Sequence, residues 1–408
     1  MSESHVENLL EKDDTDMLHG VKVLSFTHFL QGPSAVQFLA DLGADVIKIE
    51  SPKGAYERFW SGAEAYLNGE SVFYLMAGRN QRSLSLDLRS EKGKEIVQKL
   101  VADADVIVEN FRPGVMDRLG LGYEEIAKVN PGIVYCSCSG FGSTGPYRDK
   151  PGQDLLIQAM SGLAMLSGRK NDPPTLVGTA VVDQHAAVLA VVGVLAALFE
   201  KQKTGIGKKV ESNLLSAALD MQIEPLNYYL NGAKLYDRSE TGISSKFHQA
   251  PYGVFQTSDG YICVSLTPTD KLAQAFDDPS FNNWTRDDQF NRREEVNAKV
   301  ADHIKRQTTS YWFGKFEQLE IWYAPVNSYE DIEKDPQVEW NQSIMSFQHP
   351  VAGKVRLLAH PIKYNGETLK IRKLPPNLGE HTEEILLGLG YTSEDIENLA
   401  KQGFIKKQ

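Results

Sequence analysis

Cysteine is scarce in this chain, which has three among its 408 residues. Cys136, Cys138 and Cys263 form neither a disulfide framework nor a metal-binding pattern, and this is typical of a protein kept in a reducing compartment. Cys136 and Cys138 alternate within an apolar run, which favours core packing over redox chemistry. The sequence also opens without the charged and then apolar pattern of a secretion signal. We therefore expect a cytoplasmic protein without a metal site.

Basic charge is also in deficit, because 43 Lys and Arg residues face 54 Asp and Glu residues and the net charge is −11. This balance argues against general affinity for nucleic acid or for a membrane surface, so an anionic ligand would need a local basic pocket. The apolar run after Asp183 is interrupted by Gln184 and His185 and is short for a membrane span. The 41% hydrophobic and 24% charged composition is that of a soluble globular protein with two or three domains.

Strand and helix patterns alternate through the first part of the chain. A strand at Val21–Phe26, a helix closed by Gly43 and a strand at Asp45–Glu50 form a βαβ unit, which predicts parallel pairing. The alternation continues with helices at Ser90–Ala104 and Tyr123–Val129 and strands at Asp105–Glu109 and Gly132–Ser137. We expect an α/β fold with a doubly wound, Rossmann-like parallel sheet. The turn after Phe26 holds one glycine where the dinucleotide fingerprint has three, which argues against a nicotinamide enzyme.

Changes in pattern predict the domain organisation. We expect a mobile extension over residues 1–19 and a large domain over 20–210. A helix and connection would follow over 211–249, with one long helix ending at Leu230. A hairpin turning at Ser258–Gly260 opens a smaller α+β domain over 250–335, and residues 336–408 return to the large domain.

Asp183 is an isolated charged residue in a largely apolar segment, and the next charged residue along the chain is Glu200. An isolated buried carboxylate is costly, so it must be paired, hydrogen-bonded or functional. The pattern is that of a buried helix with Asp183 at or near its N-cap, where backbone amides would hold the carboxylate ionised. Asp154 opens a short amphipathic helix and allows the same two interpretations, cap or site.

Several polar groups follow predicted strands, where open α/β sheets bind ligands. This position favours four residues over the surface background: Asn110, Phe111, Arg112 and Arg118. The two arginines of Arg79–Arg82 suit either a phosphate clamp or solvated charge. Gly140–Lys150 is a glycine-rich loop after another strand.

Several ordered blocks of this sequence resemble the family III CoA-transferases from about Leu18 onwards. They include RNQRSLSLDL, ADVIVENFRPGVMDRLGLGYEEI, SGFGSTGPY, GQDLLIQAMSGL and LGEHTEEILLGLGY. The resemblance implies that acyl-CoA and a free carboxylic acid are the substrates, that no cofactor is bound permanently and that Asp183 is the nucleophile. It implies CoA contacts at His28, Phe29, Leu30, Gln31, Arg82, Asn110, Phe111, Arg118 and Leu119. It also implies an interlocked homodimer.

The resemblance leaves alternatives within the same family. The α-methylacyl-CoA racemases have a histidine before an aspartate where this chain has Gln153 and Asp154, so the racemase base is missing. A non-catalytic partner subunit of a heteromer is a third possibility, against which Asp183 argues. The formyl-CoA enzymes have a glutamine where Leu30 stands here, which disfavours formate and oxalate and leaves Gln31 as a candidate substitute.

The expected reaction passes through an aspartyl mixed anhydride and an aspartyl-CoA thioester at Asp183. Each addition develops an oxyanion that needs fixed amide donors. The candidates are the start of the Asp183 helix and the Gly140–Gly145 loop; Gln31, Gly142, Gln153 and Asp154 are the residues predicted to position the oxyanion or substrate. Arg82, Arg118 and Lys53 are expected to bind the CoA phosphates. A dicarboxylate such as succinate is the preferred acid.

Overall fold

The structure, a computed structural model, describes residues 16–407. Residues 1–15 of the expected extension lie outside the described residues. Residues 16–19 are anchored, since Leu18 donates its backbone N–H to the carbonyl of Leu42 (2.8 Å) and Arg372 pairs with Asp16 (2.6 Å). The described chain forms two compact units. The first comprises the described residues of Met1–Asp154, Val181–Ala217 and Pro336–Gln408, and the second comprises Leu155–Ala180 and Ala218–Asp335. The domain limits predicted from the sequence stay a prediction.

A parallel sheet of six strands forms the centre of the first unit, as the βαβ pattern predicts. Its strands lie in the spatial order Gln81–Ser85, Asp45–Glu50, Lys22–Phe26, Val106–Glu109, Val134–Ser139 and Lys209–Asn213. The chain builds outward from Lys22–Phe26 on one side and then returns to pair Val106–Glu109 on the other. This reversal is a topological switch point, where ligands of such sheets bind beyond the strand carboxyl ends.

Helices cover both faces of this sheet, because alternate strand residues point to opposite sides. Leu24, Ile47 and Ile107 face one core, and Val23, Val46 and Val108 face the other. The first core packs against the helices Glu91–Val101, Val115–Arg118, Tyr123–Val129, Thr382–Gly388 and Ser393–Lys401. The second packs against Gln31–Asp41 and Val181–Thr204 and includes Cys136 and Cys138. Both cysteines are fully buried, which agrees with a packing role.

The first unit also contains the helices Val72–Gly78 and Pro336–Trp340 and three antiparallel ribbons: Tyr66–Leu67 with Glu70–Ser71, Ile344–His349 with Gly353–Leu358, and Lys363–Tyr364 with Glu367–Thr368.

The helix Val181–Thr204 is the longest in the described chain and exceeds the predicted apolar run. By length and composition alone it could cross a membrane, a property it shares with the core helices of soluble proteins. Eight of its residues are buried, four of them alanines, and the helix packs on Gln31–Asp41. The expectation that the protein does not bind membranes stays a prediction.

The second unit contains the predicted hairpin, Tyr252–Gln256 with Tyr261–Ser265, and a third antiparallel strand, Trp322–Pro325. An aromatic core that includes Phe276, Phe281 and Phe316 lies beneath this sheet. Its helices are Ile223–Leu230, Thr269–Phe276, Arg286–Asn291, Arg293–Ile304, Thr309–Gln318 and Tyr329–Glu333. Two further helices, Asp154–Met160 and Leu214–Asp220, cross from one unit to the other along the chain.

The single long helix expected to end at Leu230 is instead two helices, Leu214–Asp220 and Ile223–Leu230. Pro225 accounts for the break, because proline has no N–H to donate to the carbonyl four residues earlier and its ring clashes with that carbonyl. Pro225 is the third residue of the second helix, where a backbone N–H has no intrahelical partner anyway.

Candidate active site

His28 and Asn110 are joined at the switch point of the central sheet. The Asn110 side-chain oxygen accepts the backbone N–H of His28 (2.8 Å), and its amide nitrogen donates to the His28 carbonyl (2.8 Å). The rings of His28 and Phe111 lie 4.9 Å apart. The structure therefore brings together three of the residues predicted to contact CoA, at the edge where the topology favours a ligand.

Phe29 and Leu30 continue this turn into the first helix. Phe29 has a positive φ of 58°, which is uncommon for a residue other than glycine, and it is 56% exposed. Leu30 stands at the N-cap position of the helix Gln31–Asp41, without a side chain able to cap it.

Gln31 is buried, and its amide nitrogen has no hydrogen-bond partner among the described residues. An unpaired buried donor costs about 1–3 kcal/mol, so this arrangement suits a group that acquires its acceptor from a ligand. Ser34, one helical turn later, accepts a hydrogen bond from the side chain of Gln184 (3.2 Å). The start of the first helix thus lies beside the start of the helix that carries Asp183.

The carboxylate of Asp154 caps the Asp183 helix. One Asp154 oxygen accepts the backbone N–H groups of Val182 (2.7 Å) and Asp183 (2.9 Å), the second and third residues of that helix. The helix begins at Val181, so Asp183 lies in its first turn, near the N-cap as expected, but it is Asp154 that accepts the helix amides. These two amides are also not available as oxyanion donors in this arrangement.

Asp183 is partly buried beside this second carboxylate. Burial raises the pKa of Asp183 to about 7, and the negative charge of Asp154 acts in the same direction. This is opposite to the effect predicted from the sequence, an ionised carboxylate held by helix amides. The shift leaves Asp183 poised between its acid and carboxylate forms near neutral pH, a perturbation found often at functional sites.

The glycine-rich loop between the Val134–Ser139 strand and Asp154 is closed at its base. Gly140 and Gly152 touch so closely that a Cβ on Gly140 would lie 2.5 Å from the Cα of Gly152. Within the loop the N–H of Gly142 donates to the Ser139 hydroxyl (2.9 Å), so this predicted oxyanion donor already has an acceptor. Gln153 is exposed to solvent.

The predicted phosphate-binding residues occupy different places. Arg82 lies near the amino end of its strand, where its guanidinium pairs with Asp45 (2.6 Å) and Glu384 (2.8 Å). The structure does not bring it to the edge that holds His28 and Asn110, and its contact with CoA stays a prediction. Lys53 is exposed just after the Asp45–Glu50 strand, on the carboxyl side of the sheet.

Arg118 and Leu119 line a surface groove of about 540 Å³. The groove runs between the helices Glu91–Val101 and Val115–Arg118 and is lined by Glu91, Lys94, Glu95, Gln98, Asp117, Arg118, Leu119 and Gly120. Its mixed charge and its volume suit a polar ligand.

Glu109 is a site residue that the sequence argument missed. Its carboxyl group accepts the backbone N–H of Phe111 (3.0 Å) and the hydroxyl of Ser137, and so holds the turn that carries Asn110. Burial raises the pKa of Glu109 to about 7. The available signal was a charged residue at the end of the apolar strand DVIVE. Among residues 16–407 no cluster of His, Cys, Asp and Glu could hold a metal ion.

Comparison with known proteins identifies the family of this chain. The profile of CoA-transferase family III matches residues 18–382. A succinyl-CoA:glutarate CoA-transferase from Mus musculus is 34% identical over 405 residues, which cover 97% of this chain and 92% of the mouse protein. A succinyl-CoA–L-malate CoA-transferase beta subunit from Chloroflexus aurantiacus is 31% identical over 401 residues, covering 95% and 98%.

Solved structures agree with these relatives. A CaiB/BaiF family protein from Brucella suis matches with a TM-score of 0.79 at 30% identity, covering 92% of this chain and all of that one. The chain belongs to CoA-transferase family III and is a CoA-transferase. The resemblance drawn from the sequence blocks is confirmed.

Proposed function

We propose that the protein moves CoA from an acyl-CoA thioester to a free carboxylic acid, with Asp183 as the covalent nucleophile. The observation that carries this proposal is the partly buried Asp183 carboxyl group, which lies in the first turn of a core helix capped by Asp154 and whose pKa is raised to about 7. A raised pKa makes the carboxylate a better nucleophile than an ordinary aspartate, while the ionised form remains accessible near neutral pH.

The proposed chemistry proceeds in two symmetrical halves. An oxygen of the Asp183 carboxylate attacks the thioester carbonyl, the carbon–sulfur bond breaks, and a mixed anhydride and CoA thiolate result. The thiolate then attacks the aspartyl carbonyl, giving an aspartyl-CoA thioester and releasing the donor acid as its carboxylate. The acceptor carboxylate repeats both steps in reverse and restores Asp183. No proton transfer is required, because both acids react as carboxylates.

The oxyanions of these steps need a donor, and we assign this role to the side-chain amide of Gln31. Of the residues predicted to position the oxyanion, Gln31 is the one with a buried donor that lacks a partner among residues 16–407. The amides of Asp183 and Gly142 already have acceptors. Exclusion of water from Asp183 would protect the anhydride and thioester from hydrolysis.

For the substrates, we propose a succinyl-type donor and a dicarboxylate acceptor. Relatives that match almost the whole chain are named as succinyl-CoA enzymes with glutarate or L-malate as the second acid. The absence of a histidine at Gln153 is the reason to prefer transfer over the racemase reaction.

The assembly we propose is a homodimer in the cytoplasm. On the long helix three apolar side chains lie exposed along one side: Val188 (41%), Val192 (58%) and Phe199 (62%). Exposed apolar patches of this kind mark interaction surfaces. The alternative is a heteromer, since one relative is named as a beta subunit.

The test is to incubate the purified protein with succinyl-CoA and a panel of mono- and dicarboxylic acids and to follow new CoA thioesters by mass spectrometry. We expect transfer to dicarboxylates, abolished by Asp183→Ala and preserved by Asp287→Ala, an exposed aspartate in the second unit. Exchange of the acyl α-proton without transfer would favour the racemase instead. Absence of both reactions in the protein alone, with transfer restored by a second chain, would favour the heteromer.

A further inference from the structure

Two guanidinium groups, those of Arg118 and Arg148, meet at Gly114. Gly114 has a left-handed backbone (φ 82°), and a Cβ placed on it would lie 3.0 Å from Arg148 Nη2 and 3.3 Å from Arg118 Nη1. The two positive groups are therefore close neighbours, although they come from different loops. Arg118 ends the short helix after the Val106–Glu109 strand, and Arg148 belongs to the glycine-rich loop after the next strand.

Neither arginine has an acidic partner among residues 16–407, unlike the buried arginines of the same unit. Arg58 pairs with Glu50 (2.7 Å) and Arg79 with Asp41 (2.6 Å). The Nε of Arg148 is buried and lacks a hydrogen-bond acceptor. Two like charges held together repel each other, and a buried donor without an acceptor is unfavourable. An anion with several acceptor oxygens would satisfy both guanidinium groups.

We propose that Arg148 and Arg118 together bind one phosphate group of CoA. Guanidinium groups suit this ligand, because two N–H groups of one guanidinium can donate to two oxygens of a phosphate. The guanidinium group also keeps its positive charge at all relevant pH values. Arg118 also lines the groove of about 540 Å³ described above, so the phosphate would lie at the end of a cleft large enough for part of the nucleotide. The inference rests on the proposed function and adds Arg148, which the sequence argument did not select.

Arg148 also connects the phosphate to the reaction centre. Its loop begins at Gly140 and ends at Gly152, where the two glycines touch, and Asp154 follows two residues later. The internal backbone hydrogen bonds of the loop are few, among them Arg148 to Gly145 (3.2 Å). A phosphate held by Arg148 would therefore fix the loop that leads directly into the cap of the Asp183 helix.

The experiment measures direct binding of CoA and of 3′-dephospho-CoA by calorimetry, without turnover. Arg148→Gln and Arg118→Gln should each weaken CoA binding about tenfold, the usual effect of losing a charge-assisted hydrogen bond. The matched control is Arg89→Gln, which removes an equal charge at an exposed position of the same unit. CoA affinity should also fall less steeply with salt in Arg148→Gln than in the parent protein, because one phosphate contact is gone.

The binding results distinguish a failure of the phosphate assignment from a failure of the proposed function. A defect in Arg148→Gln that persists with 3′-dephospho-CoA assigns the contact to the diphosphate, and one that disappears assigns it to the 3′-phosphate; either supports the inference. CoA affinity and salt dependence in Arg148→Gln equal to those of Arg89→Gln would overturn it while leaving the proposed function intact. Failure of the parent protein to bind CoA would overturn both.

Discussion

The carboxylates of Asp154 and Asp183 share one helix terminus, but their surroundings give them different tasks. Asp154 receives two backbone N–H groups and serves as the cap. Asp183 follows Val182 in the same turn. Partial burial, together with the negative charge of Asp154, raises the pKa of its carboxyl group to about 7. A carboxyl group whose pKa is raised by its surroundings is often found at a catalytic site.

The pH profile of the reaction should report this pair. Because only the carboxylate form of Asp183 is nucleophilic, kcat/KM should rise with pH through about 7 and level off above it. Asp154→Asn retains acceptors for the helix amides but removes the negative charge, so the pKa of Asp183 should fall and the midpoint should move to lower pH, by roughly one unit. Asp287→Asn is the control. A midpoint unchanged in Asp154→Asn would show that the charge of Asp154 does not act on the nucleophile.

The side-chain amide of Gln31 leads to a second prediction about a single residue. Gln31→Ala should lower kcat about 10²-fold with little change in KM, the behaviour of a donor used only in the transition state. Gln202→Ala, at an exposed position of the long helix, should leave both constants unchanged. Steady-state kinetics with succinyl-CoA provides the measurement. A raised KM with an unchanged kcat would instead indicate that Gln31 binds the substrate and the transition state equally.

At the scale of elements, the apolar periods predicted most of the central sheet and its helices. Asp45–Glu50 and Tyr123–Val129 agree to the residue. The strand Trp322–Pro325 and the helix Thr269–Phe276 were missed, because four and eight residues are too short for a clear apolar period. The cap of the Asp183 helix was also out of reach, since Asp154 lies 29 residues earlier and only the fold brings the two together.

The contact between Gly140 and Gly152 is the element that places Asp154. Gly140→Ala would set a methyl group 2.5 Å from the Cα of Gly152, so the base of the loop must open. We expect the free energy of unfolding to fall by about 1–3 kcal/mol. We also expect kcat to fall by more than this loss of stability explains, because the shift reaches Asp154. Gly388→Ala adds the same methyl group in open space and should do neither. Chemical denaturation and kinetics measure both quantities; normal activity in Gly140→Ala would contradict the role of the loop.

For the whole molecule, the α/β class and the family follow from the order of motifs, whereas the assembly and the acids do not. Sequence blocks identify the family because several of them occur in one order over nearly the full chain. The charge composition does not indicate which carboxylic acid is bound. An interface between chains is formed by apolar side chains that are scattered along the sequence, so no continuous motif predicts it.

The proposed homodimer predicts a specific sensitivity on the long helix. Val192→Asp places a charge in the middle of the exposed apolar stripe and should shift the protein from dimer to monomer in sedimentation equilibrium. Gln202→Glu adds a charge at an exposed polar position of the same helix and should remain dimeric. A parent protein that sediments as a monomer would refute the proposed assembly.

The central claim is that Asp183 becomes covalently bonded during transfer. The most direct measurement is to mix the protein with succinyl-CoA, quench in acid and identify modified peptides by mass spectrometry, with and without hydroxylamine. We predict a CoA thioester on the peptide that contains Asp183, converted by hydroxylamine to a hydroxamate and missing in Asp183→Ala. A transfer-competent protein with no adduct at Asp183, or with the adduct on another residue, would contradict the mechanism.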